Sequence, residues 1–427
     1  MPRITPATAG PVPSPAVTTE TTGTPGPAGP PGAAEAAAAV VGSWAPAQGD
    51  LPAPAYFAPP SPSAVVLGDP YGNQVLIAGG EDATRGALKE ALLFDPVERT
   101  WEPTGSLNVS RRLHSTTLLK NGQVMVAGGL TGPFTLPLAP VSSVEIYDPV
   151  GRSWKVTGAL REARFAHAAV LLGDGRVLVT GGLAPRDSLT DTALSSAEIY
   201  DPGTEEWTPA AGMHDARGGH PLIPLGQDRV LAVGGMVVVG RGTYAALGYC
   251  EVYDPAAGPI GTWTPTGSLR VPRKGHQATR LADGSVLVTG GDSTGRQEDW
   301  TYNAYSQWVT ERYLPDGNPA KARWNEVEPM SVGRSHHRAV ALRSGKVLVI
   351  GGTDDATFDT GYQNAEVYDP GANTWTPTGG MVTGRWAAAA TELKDGRVLA
   401  AGGLVRSGAA TPDGTDVATG ATELFTL

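Results

Sequence analysis

Cysteine is all but missing from this chain: its 427 residues include one, Cys250. That excludes an internal disulfide framework and any zinc cluster built on several cysteines. Charged residues are also sparse, at 17%, too few for a coiled coil. No stretch of about 18 apolar residues exists to cross a membrane. The N-terminus, MPRITPATAGPVPSP, has no apolar run of the kind that marks a secretory signal. Basic residues are the minority, 32 against 42 acidic, giving a net charge of −10. A generic nucleic-acid binder carries the opposite sign. The expectation is a cytoplasmic protein with neither nucleic acid nor membrane as partner; a tail read by a dedicated export machine would look the same. What is plentiful is glycine, 57 residues, and proline, 37. Long helices tolerate neither, so the chain should be built of strands and turns. With 41% hydrophobic residues it can still bury a core.

Residues 1–40 differ from the rest. They are rich in Pro, Ala, Thr and Gly, hold three charged residues (Arg3, Glu20, Glu35) and have no aromatic. Such a segment buries too little surface to offset its ordering entropy and is expected to be a flexible tail. Four Gly-X-Y triplets starting at Gly23 are collagen-like, but too few for an isolated triple helix.

Residues 41–427 are a repeat. Gly-Gly pairs begin at Gly79, Gly128, Gly181, Gly234, Gly290, Gly351 and Gly402. Trp101, Trp154, Trp207, Trp263, Trp324 and Trp375 each precede the next pair by 27 residues. Each unit of 49 to 61 residues reads as four short strands. The first surrounds a stretch such as HAAVLL (167–172). A two-residue Asn-Gly or Asp-Gly hairpin turn is expected to lead to the second, such as VLVTGG (177–182), whose unbroken apolar run predicts burial on both faces. After a variable loop comes the third, such as AEIYDP (197–202), and the fourth carries the Trp. The last unit ends at ATELFTL (421–427) without a fourth strand, while Trp44 and Pro46 near the N-terminus repeat the Trp-x-Pro spacing. The strand around Trp44 is therefore expected to close the ring as the outer strand of the last blade. The fold is predicted to be all-β, a seven-bladed β-propeller.

Gly-Gly, then Glu-x-Tyr, then Trp, at this spacing resembles the kelch repeat. The resemblance covers residues 41–427 and implies a fold rather than a function, since kelch propellers include protein-binding scaffolds, sugar epimerases and copper oxidases. The chain is also similar to the galactose oxidase family in the Arg-x-x-His-Ser phrase at Arg111–Ser115. That resemblance implies a Tyr directly before a copper-binding His, a Tyr–Cys crosslink and an additional C-terminal domain. Here the residues before the recurring histidines are Leu113, Ala166, Gly219, Gly275 and His336. Cys250 takes a place that is usually Ala within the repeated third strand, and the chain stops at the ring. A copper-radical site is not expected, and neither is any other cofactor or metal.

Other positions recur. Ten residues after each Trp stands an Arg: Arg111, Arg164, Arg217, Arg273, Arg334 and Arg385. Thirteen after stands a His in five units: His114, His167, His220, His276 and His337, with Ala388 in the sixth. The third strand carries Glu145, Glu198, Glu251, Glu311, Glu366 and Glu423, while the first blade has Leu92. Converging imidazoles would suit a metal or acid–base chemistry. A residue repeated in nearly every blade instead solves a problem that every blade has, so the periodicity argues for structural pairs. Gly291-Asp292-Ser293-Thr294-Gly295 matches a nucleophile elbow only in letters, for no helix follows it. Asp354, Asp355 and Asp359 read as a solvated acidic loop, with Ca²⁺ the alternative.

The channel-side positions are expected to be nearly the same in every blade, and individuality lies in the loops between second and third strands, which should emerge on one face of the disc. They carry Phe134, Tyr244, Trp300, Tyr302, Tyr305, Phe358 and Tyr362, proposed as binding residues, along with Tyr249 and Trp308. The leading expectation is a scaffold that binds a protein partner through this face. The alternatives are an enzyme acting on a carbohydrate or small molecule in the central funnel, and an assembly component tethered by residues 1–40.

Overall fold

The computed structural model describes residues 40–427, apart from 59–63, 134–137, 187–189, 241–242, 297–301, 355–359 and 408–415. The tail expected over residues 1–40 lies almost wholly outside these residues. The described chain forms seven four-stranded antiparallel sheets, the blades of a propeller. In blade 3 the order from the axis outward is Ala168–Leu171, Val177–Thr180, Ala197–Asp201 and Glu206–Ala210. Besides strands, the described residues hold one helical turn, Pro319–Lys321.

The second strands are buried along their whole length, as their unbroken apolar runs require. Their side chains alternate between the two neighbouring blades. Val177 and Val179 pack with Met125 and Ala127 of blade 2, while Leu178 packs with Val230 and Ala232 of blade 4. The core is accordingly divided among the seven junctions between blades, one apolar cluster to each.

The turns between first and second strands differ from the expected two-residue form. In blade 3 Leu172 donates to Arg176, Gly175 donates to Leu172, and only the glycine is left-handed, with φ +98°. This is a three-residue loop, in which a type I turn hands over to a left-handed glycine.

The ring closes where the Trp-x-Pro spacing placed it. Ser43–Pro46 pairs antiparallel with Thr422–Thr426 as the outer strand of blade 7, with Trp44 opposite Phe425. The Trp44 and Phe425 rings lie 5.2 Å apart. The same aromatic pair recurs in the other six blades, for example Tyr200 with Trp207 at 5.1 Å. Trp154, Trp207, Trp263, Trp324 and Trp375 each donate an indole N–H to a carbonyl of the preceding blade, fastening neighbours at the rim.

Among the described residues, four loops between second and third strands are themselves two-stranded, which the sequence reading did not anticipate. The hairpins are Leu183–Pro185 with Asp191–Ala193, Met236–Gly240 with Thr243–Ala246, Asp292–Arg296 with Tyr302–Ser306, and Leu404–Arg406 with Val417–Ala418. Those of blades 3, 4 and 5 touch in sequence, which gives the loop face a raised wall on one side.

Candidate functional site

The recurring arginines and glutamates form one structural device, repeated six times. Arg111 is wholly buried; its guanidinium donates to Glu145 at 2.7 Å and to the Gly128 carbonyl at 2.8 Å. Arg164 with Glu198, Arg217 with Glu251, Arg273 with Glu311, and Arg334 with Glu366 pair at 2.7–3.0 Å, and Arg385 pairs with Glu423. Each arginine also donates to the first glycine of its blade's Gly-Gly pair. The glutamate in turn accepts backbone N–H groups from the turn that carries its arginine, as Glu251 does from His214 and Asp215. Burial raises the Glu251 carboxyl, but those hydrogen bonds and the Arg217 guanidinium outweigh it and hold it below the ordinary carboxylate range.

Blade 1 shows the device removed as a unit. The Ala55 carbonyl accepts from Gly403 as the Arg111 carbonyl does from Gly80, so Ala55 stands in the arginine's place. Leu92 stands in the glutamate's, packed beside a cluster that includes Ala55.

The five histidines do not converge on the axis. Each ring is lodged in the junction with the preceding blade, against the first glycine of that blade's Gly-Gly pair. A methyl on Gly128 would lie 2.8 Å from the His167 ring, and one on Gly181 2.8 Å from the His220 ring. Three of them reach a hydroxyl: His167 to Ser115 at 2.9 Å, His220 to Thr180 at 3.0 Å and His337 to Thr289 at 2.8 Å. The second glycine, left-handed near φ +100°, clears the same blade's own histidine. The Gly-Gly signature thus makes room for two imidazoles, one on either side. Burial first, then the nearby arginine, lowers His114, His167 and His276 to about 3 and His220 and His337 well below their ordinary value, so the rings are neutral.

The channel mouth on the loop face is made by residues the repeat leaves free to vary. Leu113, Ala166, Gly219, Gly275, His336 and Ala387 all have φ between +50° and +64°. Backbone hydrogen bonds run from blade to blade through them: Ala166 to Leu113, Gly219 to Ala166, His336 to Gly275, Ala387 to His336 and Phe57 to Ala387. These are the positions where the galactose oxidase resemblance implies a Tyr beside a copper ligand. Their side chains supply one imidazole, that of His336, pressed against Gly275, and among the described residues no three of His, Cys, Asp or Glu stand close enough to hold a metal. The residues present do not fit a copper centre. The axial cavity beneath, about 400 Å³, is lined by the first strands, with Thr116, Gln277, Ala278, Arg338 and Ala390 among its residues. The channel wall therefore differs from blade to blade, against the expectation of near-identical positions.

Ionic groups outside the repeat stand next to this mouth. Tyr56 donates its hydroxyl to Glu81 at 2.9 Å, and Arg112 reaches the same carboxylate at 3.2 Å. Burial raises the Glu81 carboxyl in spite of Arg112. On blade 5 Lys274 stands 3.6 Å from Asp292, which also accepts from Ser306.

Of the seven aromatics proposed for binding, Phe134, Trp300 and Phe358 lie outside the described residues. Tyr302 and Tyr305 lie on the second strand of the blade 5 hairpin. Tyr244 is half-buried, donates to Asp191 at 3.1 Å and packs beside Phe165 and Leu183, so it joins hairpins to one another. The Tyr362 ring lies 5.8 Å beneath the Arg334 guanidinium. Tyr249 and Trp308 are more than half exposed, at the feet of the blade 4 and blade 5 hairpins. The sequence showed their type and their loop, but not that they, rather than Tyr244 and Tyr362, stay uncovered.

A family model for the kelch motif matches residues 111–159, 164–214 and 334–382, which are blades 2, 3 and 6. Among curated proteins the chain is similar to Kelch-like protein terF of Aspergillus terreus, 24% identical over 309 residues, 71% of this chain and 63% of that protein. It is also similar to Kelch-like protein 34 of Homo sapiens, 27% identical over 241 residues, 55% of this chain and 34% of that one. The chain thus spans about one to two thirds of these relatives. Among solved structures, a fungal alcohol oxidase of the AA5 family in complex with copper superposes with a TM-score of 0.67 at 18% identity, covering 90% of this chain and 76% of that one. The structure of YjhT gives 0.57 at 16%, covering 77% and 99%. These two likenesses show the fold. The motif matched in three blades shares its geometry with the others, and the chain is a seven-bladed propeller of kelch repeats.

Proposed function

We propose that the chain is a kelch scaffold that captures a protein partner on its loop face, centred on blades 4 and 5. One observation carries this reading. The recurring Arg and Glu residues are consumed inside each blade and the His residues between blades, while exposed aromatics stand on the face whose loops differ in length and chemistry. Rigid aromatics over a fixed scaffold give contact area at small entropic cost. Similarity to Kelch-like proteins supports the same class. The likeness to a copper alcohol oxidase does not carry its chemistry here, because the mouth residues lack that set of ligands.

The test is capture from the native source by wild type, Trp308→Ala, Tyr249→Ala and Trp300→Ala. Truncating a true hot spot typically costs about 2 kcal/mol or more of binding. The expected outcome is loss of one shared partner with melting temperatures nearly unchanged. Equal capture by all four proteins, with stoichiometric metal in the purified chain, would turn the reading toward an enzyme of the central funnel.

A further inference from the structure

The histidine pins leave two of the seven junctions uncovered. His114, His167, His220, His276 and His337 pin blades 2 to 6, each to the blade before it. Blade 7 has Ala388 at that place, and blade 1, three residues beyond Ala55, has Ala58. The unpinned junctions are those between blades 6 and 7 and between blades 7 and 1. They flank the blade where the two ends of the propeller segment meet.

Arg338 spans both. It begins the first strand of blade 6, directly after His337. Its Nε donates to the Ala388 carbonyl at 2.6 Å and its Nη2 to the Phe57 carbonyl at 2.6 Å. The side chain therefore crosses blade 7 and ends on blade 1. These two acceptors are the vacated pin positions or their neighbours: Ala388 itself, and Phe57, which precedes Ala58. Alanines at 388, 389 and 390 narrow blade 7 where the guanidinium passes. The equivalent position of blade 2 is Ser115, which receives His167 of the next blade. In blade 6 the same position faces a blade with no histidine to offer, and the longer side chain makes the connection itself.

We propose that Arg338 is a second clasp of ring closure, at the channel side of the last blade, opposite the outer strand Ser43–Pro46 at its rim. One guanidinium does for two junctions what single imidazoles do for the other five. Arginine suits the task because its donors diverge from a rigid plane and can serve two carbonyls at once. Burial lowers its pKa to about 10, so it stays charged at neutral pH and its bonds to the carbonyls stay charge-assisted.

Hydrogen exchange on the intact chain tests this, because it reports opening segment by segment. Arg338→Met, which keeps bulk and removes the donors, is expected to speed exchange about tenfold at the amides of 43–45 and 422–426. The amides of 177–180 and 230–233, on pinned blades, should keep their protection. Adding Ala388→His, which restores the missing pin, is expected to return most of what is lost. Arg338→Lys, able to reach one carbonyl but not both, should give an intermediate rate, and it carries the test alone if Arg338→Met does not fold. Unchanged exchange of blade 7 in these variants, or equal acceleration in every blade, would overturn the proposal.

Discussion

Arg217 and Glu251 illustrate what a single side chain does in this molecule. Both are buried, so removing one partner strands the charge of the other. Arg217→Ala is expected to cost about 3–5 kcal/mol, measured by denaturant unfolding. Arg217→Ala combined with Glu251→Leu, which installs the pair that blade 1 already uses, should cost less than the single change. The histidines make a separate prediction about pH. Their folded-state pKa values lie below the unfolded value of about 6.5, so the unfolded chain takes up protons first. The stability they contribute is complete above about pH 6.5 and is lost as pH falls, by about 1.4 kcal/mol per unit for each neutral ring. Glu145 and Glu251, held low, contribute in the same direction only below about pH 4.5. The melting temperature is therefore expected to begin falling well before the carboxylates titrate, with a shallower slope in His167→Gln. A melting temperature flat from pH 7 to 5 would contradict the burial of these rings. The periodicity of Arg, His and Glu announced a structural role in the sequence. Their partners were hidden because the Arg–Glu contacts join distant segments of one blade and the histidine contacts join neighbouring blades, and spacing along the chain carries no distance across it.

At the scale of the strand, the closing element Ser43–Pro46 is four residues long and joins the two ends of the ring by strand pairing at the rim, where Trp101 also donates its indole N–H to Thr422. Deleting residues 1–47 is expected to lower the melting temperature sharply, while deleting 1–35 should leave it where it is. Equal values for the two truncations would show that the pairing of Trp44 with Phe425 contributes nothing. The Gly-Gly ends of the second strands give a sharper case. A Cβ on Gly128 would lie 2.7 Å from the Arg164 carbonyl and 2.8 Å from the His167 ring, in a backbone at φ +61°. Gly128→Ala should therefore destabilise by more than about 1 kcal/mol, whereas Gly284→Ala, with open space around it, pays only for its left-handed backbone. Both should appear in the unfolding midpoint. Strands such as VLVT were legible because burial on two faces leaves an unbroken apolar run. The hairpins of the loop face were not, because short polar strands held by backbone bonds show neither an apolar run nor alternation.

Across the whole molecule, the ring was readable from seven agreeing copies, and the partner-binding face only as a place. Tyr362→Ala, which takes a ring from beneath Arg334, is expected to lower stability with little effect on capture, the reverse of Trp308→Ala. Which aromatic is covered depends on how hairpins of neighbouring blades lean together, and no single repeat encodes that. The pairing of Ser43–Pro46 with Thr422–Thr426 also orders events in time. In synthesis the outer strand of blade 7, Ser43–Pro46, is made before every other strand of the ring, and its partner, Thr422–Thr426, after them. At about 5–20 residues per second, the early strand waits roughly 20–80 s for its neighbour. During that interval each newly completed blade can stack on the one before, but the growing arc keeps two open ends. The ring can shut only when Thr422–Thr426 emerges, so loss of that strand would leave an otherwise finished set of blades without a closing step.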